Sequence, residues 1–318
     1  MKIVFFGSPP SALESFNGIL EDGHKIELLI TQPDRPSGRG HSLSLSPLKK
    51  RALEKDIPVL QPEKIRKNPD ILKQLAEVQP DLNVVVAYGQ IIPTSITNLP
   101  KYNSINLHFS LLPRYRGASP MQWSLLNGDR ETGITIFELN EKMDEGDILN
   151  QKKIEILPLD DAFSLESRLA HAGAQLLSET IATITTILPR KQDHALATYA
   201  PKIKKEDGRI DWNQNALHIE RMLKAFTPWP TVYTFFGNTR LKIIKGRHIE
   251  LHSTEISPGQ IINIDKNGIQ AACRGGSLFL IETLQPENKK IMDAYAFSLG
   301  SRILPGMNFK GKKEEENF

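Results

Sequence analysis

Asn106, His108 and Asp144 carry the most chemical content in this chain. The first two lie in Asn106-Leu-His108-Phe-Ser110-Leu-Leu-Pro113-Arg-Tyr-Arg-Gly117, and the third in Met143-Asp144-Glu-Gly146-Asp147. An amide is a neutral hydrogen-bond donor, an imidazole a near-neutral acid or base, and a carboxylate a fixed anion. Together they are the set needed to move an acyl group between two amines. Each has a plainer alternative: a lone histidine is commonly a satisfied structural one, and Asp-Glu-Gly-Asp is also good turn chemistry. For His108 the balance moves toward chemistry, because Asn106 precedes it with the same side-chain parity and a rigid Ser110-Leu-Leu-Pro113 turn stands directly behind it.

Such residues need a frame, and the first half of the chain supplies alternating strand and helix signals. Lys2–Phe6 is a short apolar run that stops at Gly7, Ser11–Leu20 has helical spacing, and Ile26–Thr31 is β-branched and apolar, which together read as a βαβ opening. Further strands are expected at Leu82–Ala87, Ser104–Leu107 and Ile134–Glu138. Helices are expected around Leu48–Lys55, Asp70–Glu77 and Met121–Leu126, with one long helix over Ala162–Ile187. Short, nearly all-apolar strands between helices argue for an α/β fold with a parallel sheet covered on both faces. In such a sheet, His108 falls at the carboxyl edge, where ligands bind. A dinucleotide-binding loop is not expected: Gly7-Ser-Pro-Pro10 follows the first strand, but G-x-G-x-x-G is absent.

Between Leu188 and Gly208 the pattern collapses into Pro189, Pro201 and a polar, Lys-rich run, which reads as a linker. The expected domains are therefore 1–188, a linker over 189–208, and 209–318 ending in an acidic tail. After a helix near Ala216–Lys224, short strands separated by Gly and Asn turns suggest a small β-barrel. They are Thr231–Phe236, Thr239–Ile244, Arg247–Leu251, Gly259–Ile264, Gly268–Ala272 and Ser277–Thr283.

Charge divides the chain in the same way. Met1–Pro201 holds 22 basic and 24 acidic residues, whereas Lys202–Lys313 holds 18 basic and 10 acidic, a net of +8. That asymmetry is a footprint of polyanion binding or simply a solvated lysine surface. At 318 residues the chain is long enough for two cores. The single Cys273, in an apolar strand pattern, excludes an internal disulfide and reads as a packed side chain; no Cys or His spacing points to a metal. No apolar run approaches the roughly 18 residues of a membrane span and the N-terminus does not read as a signal peptide, so a cytoplasmic protein with no membrane partner is expected.

Asn106-x-His108-x-Ser110-Leu-Leu-Pro-Arg-Tyr-Arg-Gly117 with Asp144 resembles the signature of the folate-dependent formyltransferases. Further stretches, in the same order across both halves, resemble the branch of that family that acts on methionyl-tRNA. They are Thr31-Gln-Pro-Asp-Arg-Pro-Ser-Gly-Arg-Gly40, Leu60-Gln-Pro-Glu63, Val84-Val-Val-Ala-Tyr-Gly-Gln90, Thr198-Tyr-Ala-Pro-Lys202, Lys205-Glu-Asp-Gly-Arg-Ile-Asp-Trp212 and Ala225-Phe-Thr-Pro-Trp-Pro230. The resemblance implies a Rossmann-like catalytic domain followed by an OB-like barrel. It implies transfer of a formyl group from 10-formyltetrahydrofolate to the α-amine of initiator methionyl-tRNA; a monomer is expected.

The resemblance also implies residue roles. His108 would take the amine proton directly or through water, Asn106 would steady the developing oxyanion, and Asp144 would orient the imidazole and hold a relay water and the pterin. The backbone of Tyr88, Gly89, Gln90, Ile91 and Ile92 would meet the pterin edge, with Ser110, Leu111, Leu112 and Pro113 as the adjoining wall. Arg35 and Arg39, in the long loop from Asp34 to Ser46, would reach the tRNA acceptor end. Rival readings share the three residues: a sugar-nucleotide formyltransferase, a formyltetrahydrofolate hydrolase, or a non-catalytic RNA-binding protein on the same fold.

Overall fold

The computed structural model describes residues 1–37, 42–43, 45–249 and 256–310. Arg39, residues 250–251 of an expected strand and the acidic tail lie outside these residues. In chain order the elements are β1 (Lys2–Gly7), α1 (Ala12–Glu21), β2 (Lys25–Ile30), β3 (Pro36–Ser37), β4 (Ser42–Leu43), α2 (Pro47–Glu54), β5 (Val59–Leu60), α3 (Pro69–Val78), β6 (Leu82–Val86), α4 (Thr94–Thr97), β7 (Ser104–His108), α5 (Pro120–Asn127), β8 (Glu131–Glu138) and β9 (Ile148–Glu155). There follow α6 (Ala162–Ala182), α7 (Ala216–Ala225), β10 (Val232–Phe236), β11 (Thr239–Ile249), β12 (Ile261–Asp265), β13 (Gly268–Ala272), β14 (Leu278–Pro286), β15 (Met292–Asp293) and α8 (Ala294–Ser301).

The chain forms two compact units. The first comprises Met1–Pro120, Arg130–Ile156 and Leu165–Pro201; the second comprises Met121–Asp129, Leu157–Ser164 and the chain from Lys202 onward. The stretch 189–208, read above as a linker, is thus divided between them. Residues 189–201 belong to the first unit because their main chain is hydrogen-bonded there: Arg190 exchanges both backbone bonds with Ile148 at 2.8 Å, and Ala200 donates to the Arg116 carbonyl at 2.7 Å.

The first unit is built on a seven-stranded sheet of order β5-β2-β1-β6-β7-β8-β9. From β5 to β7 every pairing is parallel, whereas β7–β8 and β8–β9 are antiparallel. The sheet is therefore mixed rather than wholly parallel. Val4, Phe5 and Phe6 of β1 and all of β6 are buried, as strands covered on both faces must be. Helix α1 buries Ala12, Ser15, Phe16 and Ile19, a single face at helical spacing, and the Phe16 ring meets Phe5 edge-on at 5.3 Å. Ser46 caps α2 by accepting from the Lys49 amide at 3.2 Å, with Pro47 preset for the first turn.

The second unit holds a six-stranded antiparallel sheet of order β10-β11-β14-β13-β12, with β15 beside β14. The segment Asn308–Lys310 bridges both free edges, pairing at Phe235 on one side and at Gln260 on the other, so the sheet closes into a barrel. Inside it Trp212 stacks on Phe309 at 5.5 Å and donates its Nε1–H to Thr234 Oγ1 at 3.1 Å. The two strands expected over 239–251 are one, β11, whose register shifts near Gly246.

Candidate active site

Strands β1, β2, β6 and β7 run parallel and end on one edge, at Gly7, Ile30, Val86 and His108. From β1 the chain proceeds to β2 on one side, while β6 and β7 lie on the other. The crevice between β1 and β6 is therefore a switch point of the kind at which open α/β sheets bind ligands. Ser8, Gln32 and Tyr88 meet there: the Gln32 Nε2 donates to the Tyr88 carbonyl at 2.9 Å, and the Gln32 amide donates to Ser8 Oγ at 3.1 Å.

Asn106 and His108 sit two residues apart on β7 and so share a face of the sheet. His108 is buried, and its ring is fixed by Nε2, which lies 2.9 Å from the Tyr115 carbonyl. A carbonyl only accepts, so Nε2 carries hydrogen, and in the neutral ring the lone pair falls on Nδ1. Nδ1 faces the Asp144 carboxylate at 3.9 Å, too long for a direct hydrogen bond but within reach of its charge. Asp144 Oδ2 instead accepts from the Gly117 amide at 2.7 Å. The orienting bond to the imidazole thus comes from Tyr115 and not from Asp144, whose charge stands beside the nitrogen that can take a proton. The Asn106 side chain, half-buried, has no hydrogen-bond partner among the described residues, which leaves its amide available.

Gly117 and Gly146 permit this approach. A Cβ on Gly117, whose φ is +124°, would stand 2.6 Å from the Ala200 carbonyl oxygen, and one on Gly146 would stand 1.6 Å from that of Glu138. No side chain fits at either place.

The two segments expected to border a folate differ in kind. In Tyr88–Ile92 the Tyr88 ring packs in the core against Phe6 at 5.6 Å, and burial pushes its phenol up to about 12. The Gln90 side chain is spent on the Ile65 amide (2.9 Å) and the Pro62 carbonyl (3.1 Å). The main-chain groups of Gly89, Gln90 and Ile91, by contrast, bond to nothing among the described residues, and Ile91 is exposed. That is an edge able to receive a planar hydrogen-bonding ring.

Ser110–Pro113 is the reverse, since its carbonyls are already taken. Ser110 O accepts from Thr135 Oγ1 (2.7 Å), Leu111 O from the Arg114 amide (3.0 Å), Leu112 O from Gln151 Nε2 (2.8 Å) and Pro113 O from the Thr198 amide (3.3 Å). It is a rigid wall. Thr135, Gln151, the Tyr115 carbonyl and the Gly117 amide all hold the site, and none of those roles follows from residue type or spacing.

Arg35 is exposed, next to Asp34, whose carboxyl is held below its ordinary range by the hydrogen bond from Lys49. Cys273 is buried and its thiol is pushed up to about 12 by burial. Among the described residues no group of three His, Cys, Asp or Glu side chains is placed to hold a metal ion, and no helix is long and apolar enough to cross a membrane.

Residues 1–181 match the formyl transferase family model, and residues 202–302 match the model of the formyl transferase C-terminal domain. The chain belongs to the formyl transferase family. It is 44% identical over 309 residues to the methionyl-tRNA formyltransferase of Geobacter metallireducens, covering 96% of this chain and 98% of that protein. It is 40% identical over 312 residues to the methionyl-tRNA formyltransferase of Caldanaerobacter subterraneus subsp. tengcongensis, covering 98% and 100%. Among solved structures, the sugar 3N-formyl transferase WlaRD, in the presence of dTDP and 5-N-formyl-THF, shares the fold at 21% identity. The TM-score is 0.65, over 91% of this chain and 99% of that one. Near full-length similarity to methionyl-tRNA formyltransferases and the match to the formyl transferase family model make the chain an enzyme, which excludes the non-catalytic reading above.

Proposed function

We propose that this formyltransferase moves a formyl group from 10-formyltetrahydrofolate to the α-amine of methionine carried on initiator tRNA, giving N-formylmethionyl-tRNA. The observation that carries the chemistry is the Tyr115-held imidazole of His108, whose Nδ1 faces Asp144 at 3.9 Å. The choice of acceptor is supported by full-length relatives that act on methionyl-tRNA and by the +8 net charge of 202–313.

The donor supplies the formyl carbon, and the unpaired main chain of Gly89–Ile91 fits the edge of its pterin ring. An α-amino group has a reference pKa of about 8, so a modest proton acceptor suffices for it. His108 accepts that proton at Nδ1, while Tyr115 O retains the hydrogen at Nε2. Charge that develops on the ring is met by Asp144, and charge that develops on the formyl oxygen is met by the free Asn106 amide, a contribution of about 3–4 kcal/mol for donors of this kind. A water fixed by Asp144 carries that proton on from Nδ1 to the departing nitrogen of the donor. Arg35 and Arg39 contact the acceptor end of the tRNA, the enzyme acts in the cytoplasm, and it does so as a monomer.

The test is formyl transfer to charged initiator tRNA, with free methionine, water and an amino-sugar nucleotide as control acceptors. Transfer to methionyl-tRNA alone upholds the proposal. Preferential transfer to the sugar or to water overturns it.

A further inference from the structure

We propose that Gln192 is a positioning residue for formyl transfer, pinning the 144–146 turn so that the Asp144 carboxylate stands beside His108. The inference rests on the functional reading above and concerns how its geometry is maintained. Gln192 is 5% exposed, in the stretch read from sequence as linker, and every hydrogen-bonding position of its amide is used. Nε2 donates to the carbonyls of Asp144 (2.9 Å) and Gly146 (2.8 Å). Oε1 accepts from Arg116 Nε (3.1 Å) and Nη2 (2.7 Å). A flipped amide would set oxygen against two carbonyls and NH₂ against a guanidinium, so this network assigns its orientation.

The turn needs such a pin. Asp144 adopts a left-handed φ of +54°, a sparsely populated conformation for a residue with a side chain. Gly146 is pressed so closely on Glu138 that the turn cannot move toward β8. Gln192 holds the turn on both sides of Glu145, and Arg116, 2% exposed, ties the bracket together through Glu145 (Nη1 at 3.2 Å) and His194 Nδ1 (3.2 Å). Among the described residues the Asp144 carboxylate is thereby left with one direct partner, the Gly117 amide, and faces the His108 ring. Gln192, with its polar atoms all spent and its side chain buried, acts on the reaction only through Asp144.

The experiment compares full-length wild type with Gln192→Glu, Asp144→Asn and the double variant, measuring kcat, both KM values and the melting temperature. Glutamate keeps the size and still accepts from Arg116, but faces two carbonyls with an oxygen where NH₂ had been. Gln192→Met, neutral and of equal length, removes the same two donated bonds and also the acceptor of Arg116; should the glutamate prevent folding, the folded methionine variant is judged by the same kcat, KM and Asp144→Asn comparison. The expected result is a fall in kcat on the order of 10²-fold, as for displacement of a reacting group by about 1 Å, with both KM values within about threefold. In the Asp144→Asn background, the same Gln192 change should cost less than about threefold, because the two act as one unit. The proposal is overturned if folded Gln192 variants keep kcat within about threefold, if the loss falls on KM, or if it is as large in the Asp144→Asn background. Absence of transfer by the unaltered chain would overturn the functional reading and this inference with it, whereas an active wild type with indifferent Gln192 variants overturns this inference alone.

Discussion

Replacing Asp144 by Asn isolates the charge that the mechanism assigns to it. The amide is the same size, its oxygen can accept the Gly117 N–H now bonded at 2.7 Å, and the main-chain bond from Gln192 to the Asp144 carbonyl is untouched. Only the anion is lost. Two unit charges about 4 Å apart interact by about 1 kcal/mol in bulk water and about 4 kcal/mol at an effective dielectric of about 20. The His108–Asp144 distance is 3.9 Å, and the side chains are 7% and 15% exposed, which puts the pair near the second figure. Since each ~1.4 kcal/mol is tenfold in rate, the substitution should lower kcat by about 10²- to 10³-fold. The interaction exists only when the ring is charged, so kcat and kcat/KM should fall equally, with KM for donor and tRNA unchanged. Steady-state assays of formyl transfer with each substrate varied at saturating levels of the other would decide. A loss below about fivefold would show that the buried anion does not act on the imidazole, and a rise in KM alone would move Asp144 from chemistry to binding. The loss should also be insensitive to added salt, because a buried pair is poorly screened.

His108→Ala should lower single-turnover formyl transfer by about 10²–10⁴-fold while tRNA affinity measured by filter binding stays near wild type; near-native turnover would remove His108 from the mechanism. Thr135→Val should destabilise the chain by about 2–4 kcal/mol in urea unfolding, because the isosteric methyl leaves the buried Ser110 carbonyl, Leu112 amide and Gln151 amide without the hydroxyl they share at 2.7, 3.1 and 2.9 Å. Stability should also fall at high pH. The Cys273 thiol rises from an ordinary 9.0 to about 12 and the Tyr88 phenol from 10.0 to about 12, so both stay protonated in the fold after the unfolded chain has released its protons. Their contribution is complete below about pH 9 and is lost as pH climbs from there toward about 12. Urea midpoints that stay flat across that window would refute it. The same burial predicts no labelling of native Cys273 by a thiol reagent near pH 8 and one label per chain in denaturant.

The central parallel strands were legible because burial on both faces writes itself as an unbroken apolar run, as in Leu82–Val86. β9 was not. Its sequence, Ile-Leu-Asn-Gln-Lys-Lys-Ile-Glu, carries the polar residues of an outer strand exposed on one side, and so resembles a loop. Direction was equally hidden, since apolar periodicity is the same for parallel and antiparallel strands; the short 139–147 connection is what allows β8 and β9 to pair antiparallel. The segment 189–201 read as linker for a related reason. Its bonds run to residues 113–119 and 144–151, and pairing over such separations leaves no local pattern in Pro189 or in the polar residues around it. The barrel's strands were legible from their turns, whereas its closing stave, Asn308–Lys310, is too short to register as a strand at all.

In the candidate site the same division separates chemistry from geometry. Side-chain identity announces a reaction, because only certain groups donate to an oxyanion or take a proton, and Asn106, His108 and Asp144 could be picked out on that ground. Position is set mostly by groups that every residue owns. The nitrogen of His108 that keeps its hydrogen is chosen by the Tyr115 carbonyl, and the Asp144 carboxylate is placed by the Gly117 amide. A main-chain carbonyl at position 115 would bind Nε2 whatever side chain it bore, so nothing at that position in the sequence could indicate that Nδ1 is the nitrogen left with a lone pair. The proposed mechanism turns on it: were Nε2 the nitrogen without hydrogen, its lone pair would face the Tyr115 carbonyl, which cannot donate to it, and Nδ1, the nitrogen 3.9 Å from Asp144, would have no lone pair with which to take a proton.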